Sequence, residues 1–322
     1  MQKDILKILR YFSFFSYAPT GEEIFRFFPK KITGHGLEKN LKALEKKRRI
    51  VSLMKGSSST SYTLLEYRVF FTHRSVRERI SKKKVQRVRF FIRLLSWIPL
   101  IRFVALTGTV AVGNAQSKDD IDLFIIMSRN RLWSGRFISL YLASMLRIRR
   151  SRGERQVKDK VCLNLFFDER ELKIPKQKHT LYVAHEVLQM KPLIDKENIF
   201  TRLLGANTWI FKMFPNAQES LKSNVQSSKS TNSKEYAIGG ATRGDPMSAQ
   251  SKVCPSTYWG CGAAESIAFP SKQNLIGNFV EIVLKRIQLY FINKHKTKER
   301  ITDTQLWFFP EDFEEKIMRE ML

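Results

Sequence analysis

The chain has 322 residues, 43% hydrophobic and 27% charged, an ordinary balance for a folded soluble protein. Its 57 Lys and Arg outweigh 30 Asp and Glu for a formal net charge of +27, which excludes an acidic DNA mimic or a calcium buffer and favours a polyanionic partner. The three cysteines (Cys162, Cys254, Cys261) are too few and too irregular for a disulfide framework or a four-ligand zinc site, so a reducing cytoplasm is expected.

The opening segment MQKDILKILRYFSFF mixes charges among its apolar residues and reads as no secretory signal. Asp4–Phe15 carries a helical apolar stripe through Ile5, Leu6, Ile8, Leu9, Phe12 and Phe15. Thr20-Gly-Glu-Glu23 is a capping box that starts a second helix, and Leu37, Leu41 and Leu44 mark a third. Two strand-like runs follow, Ile50–Met54 and Ser61–Leu65. Residues 1–66 therefore have the order of a winged helix-turn-helix. Lys46, Lys47, Arg48 and Arg49 close its recognition helix.

Residues 67–100 form a basic helical connector that includes Lys82, Lys83, Lys84 and Arg87. Residues 1–100 hold 23 Lys and Arg against 7 Asp and Glu, so more than half of the total +27 sits in the first third. A phosphate-contacting surface is expected there, binding by charge and with little sequence selectivity. RNA is favoured over DNA as partner. Arginines spaced among Phe90, Phe91, Leu94, Leu95 and Trp97 leave membrane-surface contact as a lesser alternative. No uncharged apolar run reaches the ~18 residues of a spanning helix.

Residues 101–215 read as an α/β unit with strands at Phe103–Leu106, Ile121–Met127 and Val161–Phe167. Helices are expected at Trp133–Arg150, Thr180–Met190 and Asn198–Phe214. Residues 216–272 are rich in Ser, Asn, Lys and Gly and read as a long loop. Residues 273–322 return to helix, at Leu275–Ile292 and Pro310–Leu322. His179 and His185 lie six apart and share no helix face, so they make no metal pair.

One segment carries chemistry: a strand runs into Gly108-Thr109, then Gly113, then Asp120-Ile-Asp122 at the start of another strand. Gly108 lets backbone approach a phosphate, and the Thr109 hydroxyl adds a donor. Asp120 and Asp122, two apart on a strand, face the same way and suit Mg²⁺, with Mn²⁺ as the alternative. Arg131 and Arg136, just past the second strand, are candidate triphosphate ligands.

The segment resembles the nucleotidyltransferase superfamily typified by DNA polymerase beta. Gly108, Thr109, Ala111, Gly113, Asp119, Asp120, Asp122 and Leu123 fall in register with its Gly-Ser-x-Ala-x-Gly…Ser-Asp-x-Asp-Leu pattern. Thr109 and Asp119 stand where the pattern has Ser. The resemblance covers about twenty residues. More loosely, Arg131-Leu-Trp133, Cys162-Leu-Asn164, Asn207-Thr-Trp209 and Phe309-Pro-Glu-Asp312 match bacterial relatives that carry a leading winged helix. It implies an α+β fold with a mixed sheet and a helical C-terminal part, a nucleoside triphosphate substrate held by Gly108, Thr109 and Gly113, and metal held by Asp120 and Asp122. A third carboxylate on a later strand is implied as general base. Asn164 falls at that position, sharing a face with Cys162 and Phe166, and Asp168 is the nearby carboxylate able to replace it. An amide accepts no proton, so a transferase and a catalytically silent regulatory relative both remain open.

Overall fold

The computed structural model describes residues 1–55, 59–151, 153–154, 156–221, 275–294 and 299–308. Apolar spacing and side-chain caps build its first elements. Helix α1 (Gln2–Phe14) buries Ile5, Ile8, Leu9, Tyr11 and Phe12. Helix α2 (Gly21–Arg26) starts at the expected capping box: Thr20 Oγ1 accepts from Glu23 N at 3.1 Å, and Glu23 Oε2 accepts from Thr20 N at 2.7 Å. Thr33 caps α3 (Gly34–Lys46), which turns Leu37, Leu41 and Leu44 inward. Strands β1 (Ile50–Lys55) and β2 (Ser59–Leu64) form an antiparallel hairpin from Ile50↔Leu64 outward.

The connector is one 27-residue helix, α4 (Phe70–Ser96). A mixed six-stranded sheet follows, in the order β6-β3-β4-β5-β8-β7. Its strands are β3 (Ile101–Leu106), β4 (Ile121–Met127), β5 (Val161–Asp168), β6 (Lys191–Asp195), β7 (Arg300–Ile301) and β8 (Gln305–Trp307). Among the described strands only β4 and β5 run parallel, and α6 (Leu132–Met145) crosses between them, as a parallel pair requires. The short α5 (Gly108–Ala111) follows β3, and α7 (Leu181–Gln189), α8 (Ile199–Ala206), α9 (Trp209–Met213) and α10 (Leu275–Asn293) complete the helices used below.

Both sheet faces are covered, which explains the continuous apolar runs of β3 and β4. Phe103, Ala105, Phe124, Ile126, Leu165 and Phe167 pack against α1–α3 and α7–α9. Val104, Leu106, Leu123, Ile125, Met127 and Phe166 pack against α4, α6 and α10. The three-helix unit is thus fused to the sheet through one shared core.

Several expectations are corrected. The helix expected over Asn198–Phe214 breaks at Asn207. This fully buried side chain accepts from Ile174 N at 2.8 Å and donates to Leu172 O and Leu203 O, each at 2.8 Å. Strand β6 escaped the sequence because its Lys-Pro-Leu-Ile-Asp lacks alternation; a sheet edge tolerates its proline. The C-terminal part is not wholly helical, since β7 and β8 extend the sheet beside β5. Residues 222–274, with Cys254 and Cys261, and the helix expected at Pro310–Leu322 lie outside the described residues. Among the described residues no helix is long and apolar enough to cross a membrane.

Candidate functional site

Strand β3 ends at Leu106, and the chain turns sharply through Gly108, whose φ is +62°. A side chain there would carry the cost of left-handed backbone. It would also meet Asp122: an added Cβ comes within 3.1 Å of Asp122 Oδ2. Backbone hydrogen bonds fasten this turn to the head of β4, with Thr107 N donating to Asp122 O at 3.1 Å. Gly113 is also left-handed, at φ +77°, but an added Cβ there would point at Glu78 of α4. It closes the turn and does not face the carboxylates.

The expected pair comes together. Ligand atoms of Asp120, Asp122 and Cys162 all lie within 4.8 Å of one another, because parallel pairing sets Asp122 opposite Cys162. Arg150, which the sequence reading passed over, places Nη1 2.5 Å from Asp120 Oδ2. Asn164 Nδ2 donates to Asp122 Oδ1 at 2.9 Å, and its own Oδ1 is buried without a partner. Asn164 therefore belongs to the site, as a donor.

Alternation along β5 does not hold. The register slips by one residue at Asn164, from Leu123↔Leu163 to Phe124↔Leu165. A one-residue slip reverses the faces, so Phe166 packs on the far side of the sheet from Cys162. Asp168 is removed from the site. It stands opposite Met127, at the other end of β4 from Asp122. There it is fully buried, ion-paired with Arg170 and accepting from Asn130 N at 2.8 Å.

The carboxylate that does reach the site is Glu186 of α7, another omission of the sequence reading. Its Oε2 accepts from Gly108 N at 3.1 Å. Its only sequence signal was an acidic residue in an otherwise apolar helix. The Gly108 amide and the Thr109 hydroxyl, which donates to Asp119 Oδ2 at 3.1 Å, are thus both engaged within the chain.

Electrostatics follow from this crowding. Burial, then the Asp120 and Glu186 charges, push the Asp122 carboxyl up to about 7. Burial likewise raises Glu186 to about 7, opposed by the Gly108 amide. Burial and the two aspartates push the Cys162 thiol far up, and soft sulfur suits a hard cation poorly. The remaining donors are carboxylate oxygens, and these fit a hard divalent cation.

The other expected residues lie elsewhere. Arg131 sits at the start of α6 and donates to Asn278 Oδ1 at 2.9 Å. Arg136 donates to Gln288 Oε1 at 2.5 Å and lies over the Phe166 and Phe308 rings. Both tie α6 to its surroundings and neither faces the carboxylates. Lys46, Lys47, Arg48, Arg49, Lys82, Lys83 and Arg87 are exposed, although Arg87 pairs with Asp159. Lys84 is corrected from a surface contact to a buried brace. It is 1% exposed, and its Nζ donates to Asp119 O at 2.6 Å, to Asp159 Oδ1 at 2.8 Å and to Ser117 O at 3.2 Å.

A cavity of about 220 Å³ opens beside Gly108, Asp122 and Glu186. Its wall comes from the N-terminal unit: Tyr11, Phe12, Phe15 and Tyr17. No family model, no curated protein and no solved structure matches the chain.

Proposed function

We propose that the protein is a metal-dependent nucleotidyltransferase, built on a winged-helix unit and a polymerase beta-like sheet. The observation that carries this reading is the convergence of Asp120 and Asp122 at the left-handed Gly108 turn, with oxygen donors spaced for a shared cation. Mg²⁺, or Mn²⁺ in its place, would be held by Asp120 and Asp122 and would supply Lewis-acid polarisation of phosphate oxygens. The acceptor hydroxyl oxygen forms a bond to the α-phosphorus of a nucleoside triphosphate. The bond from that phosphorus to its bridging oxygen breaks and pyrophosphate leaves. Glu186 takes the hydroxyl proton, a role suited to a carboxyl held at about 7. Arg150 steadies Asp120. For the Gly108 amide to grip a phosphate, Glu186 must swing off it.

The exposed bases of α3 and α4 suit a polyanion such as RNA. Transfer of α-³²P label from each ribonucleoside triphosphate to RNA, protein or small hydroxyl compounds tests the reading. Labelling must require Mg²⁺ and vanish in Asp120→Asn/Asp122→Asn. One observation favours a second reading, a catalytically silent regulatory protein: β5 offers Asn164 to Asp122 where the resemblance implies a carboxylate. Triphosphate binding without any labelling would select it.

A further inference from the structure

Apart from the Gly108-Thr109 edge that a phosphate would use, the cavity beside the carboxylates is lined chiefly by rings and carboxylates. Five aromatic rings border it, those of Tyr11, Phe12, Phe15, Tyr17 and Tyr182. Two carboxylates, Asp122 and Glu186, stand in its wall, and none of its described lining residues is Lys or Arg, although the Arg74 guanidinium lies 4.9 Å from the Tyr17 ring centroid. In a chain of net charge +27, a lining of rings and carboxyls runs against the overall charge. Rings attract cations through their electron-rich faces, and caged organic ammonium groups are held this way. Mg²⁺ uses oxygen ligands and retains water, so an aromatic wall does nothing for it. The volume of about 220 Å³ is below the ~300–1,000 Å³ of pockets that take drug-sized ligands, so the occupant is small.

The wall is held in place. Asn114, just past the Gly108–Gly113 turn, donates Nδ2 to Phe15 O at 2.8 Å. Arg77 of α4 bridges Ser16 O at 3.0 Å and Asn114 Oδ1 at 2.9 Å. Tyr11 stacks on His185, the residue next to Glu186, with ring centroids 4.1 Å apart. The end of α1 and the carboxylates are therefore fixed relative to one another by bonds from three sides.

We propose that this cavity binds a small organic cation bearing a hydroxyl group. Resting on the transferase reading above, this cation is the acceptor: its ammonium sits among the rings, and its hydroxyl reaches Glu186 and Asp122. The exposed basic surface then serves some other contact than seating the acceptor.

The test is calorimetric binding to the full chain, in chelator and without nucleotide. The probes are choline and its neutral isostere 3,3-dimethylbutan-1-ol, with inorganic tripolyphosphate as the anionic control. Choline should bind at least roughly tenfold more tightly than the isostere. Phe15→Leu keeps apolar bulk but loses the ring face, so it should lose most of that preference, and Phe15→Tyr should restore it. Glu186→Gln should weaken choline and leave the isostere unchanged. Equal binding of choline and the isostere, competitive displacement of choline by tripolyphosphate, or choline binding indifferent to both Phe15→Leu and Glu186→Gln would overturn the cation site. Intact choline binding with no nucleotide transfer to RNA, protein or any hydroxylated amine would instead overturn the transferase reading and leave the cation site standing.

Discussion

Lys84→Met separates two accounts of the basic helix α4. On the sequence pattern, Lys84 is one of a run of three lysines that contact phosphate. In the structure its ammonium is the buried brace under the loop that delivers Asp119 and Asp120 to the site. Methionine keeps the stem and removes the charge. The carbonyls of Ser117 and Asp119 then lose their donor, and Asp159 keeps only Arg87. Breaking a buried ion pair by deleting one partner costs about 3–5 kcal/mol. Asp159 is 16% exposed and retains one cation, so the cost falls at or just below the low end of that range, about 2–4 kcal/mol. For a chain of this size that is a fall in Tm of roughly 3–6 °C, read by thermal unfolding at constant salt. Its exposed neighbour Lys83 supplies the control: Lys83→Met should leave Tm within about 1–2 °C of wild type. If Lys84→Met unfolds like wild type yet lowers the salt dependence of RNA binding, the buried-brace argument is wrong.

Other predictions concern the site and its supports. Asp122 and Glu186 are held at about 7, so the folded chain keeps protons that the unfolded chain releases near pH 4. Stability should therefore fall as pH rises from about 4 to about 7 and level off above; Glu186→Gln should flatten that slope in urea titrations, and an unchanged slope would count against the shift. The same ionisation must precede cation binding, so Mg²⁺-induced stabilisation should grow through pH 7, which a Tm series at fixed Mg²⁺ would read. Gly108→Ala imposes left-handed backbone worth about 1–2 kcal/mol and presses on Asp122, so Mg²⁺-induced stabilisation should vanish while the fold survives. Asn207→Ala strips its bonds to Ile174 N, Leu172 O and Leu203 O in the buried interior, and denaturant unfolding should show a loss of about 2–4 kcal/mol.

Local signals read well from the sequence. The capping box at Thr20, the stripes of α1 and α3, the hairpin and the apolar runs of β3 and β4 all rest on contacts within a few residues. So does the Asp120/Asp122 pair, whose common facing follows from strand periodicity. What failed depended on partners far along the chain. Arg150 and Glu186 reach the site from other elements, 30 and 78 residues from the groups they touch. Lys84 looked like a surface lysine because burial is invisible without the loop that covers it. Arg131 and Arg136 looked free because their partners, Asn278 and Gln288, lie on a helix that returns much later in the chain.

The sequence by itself determined the order of the main elements through β5, the basic character of the chain and the residues that bring two carboxylates to one strand end. Periodicity and capping are properties of neighbouring residues, and net charge is a sum. Tertiary structure alone decided which third carboxylate joins the pair, because the slip at Asn164 reverses the side chains beyond it and strands Asp168 at the far end of β5. It also decided that α1 closes over the site, which turns an apolar stripe into the wall of an acidic, aromatic cavity inside a strongly basic chain.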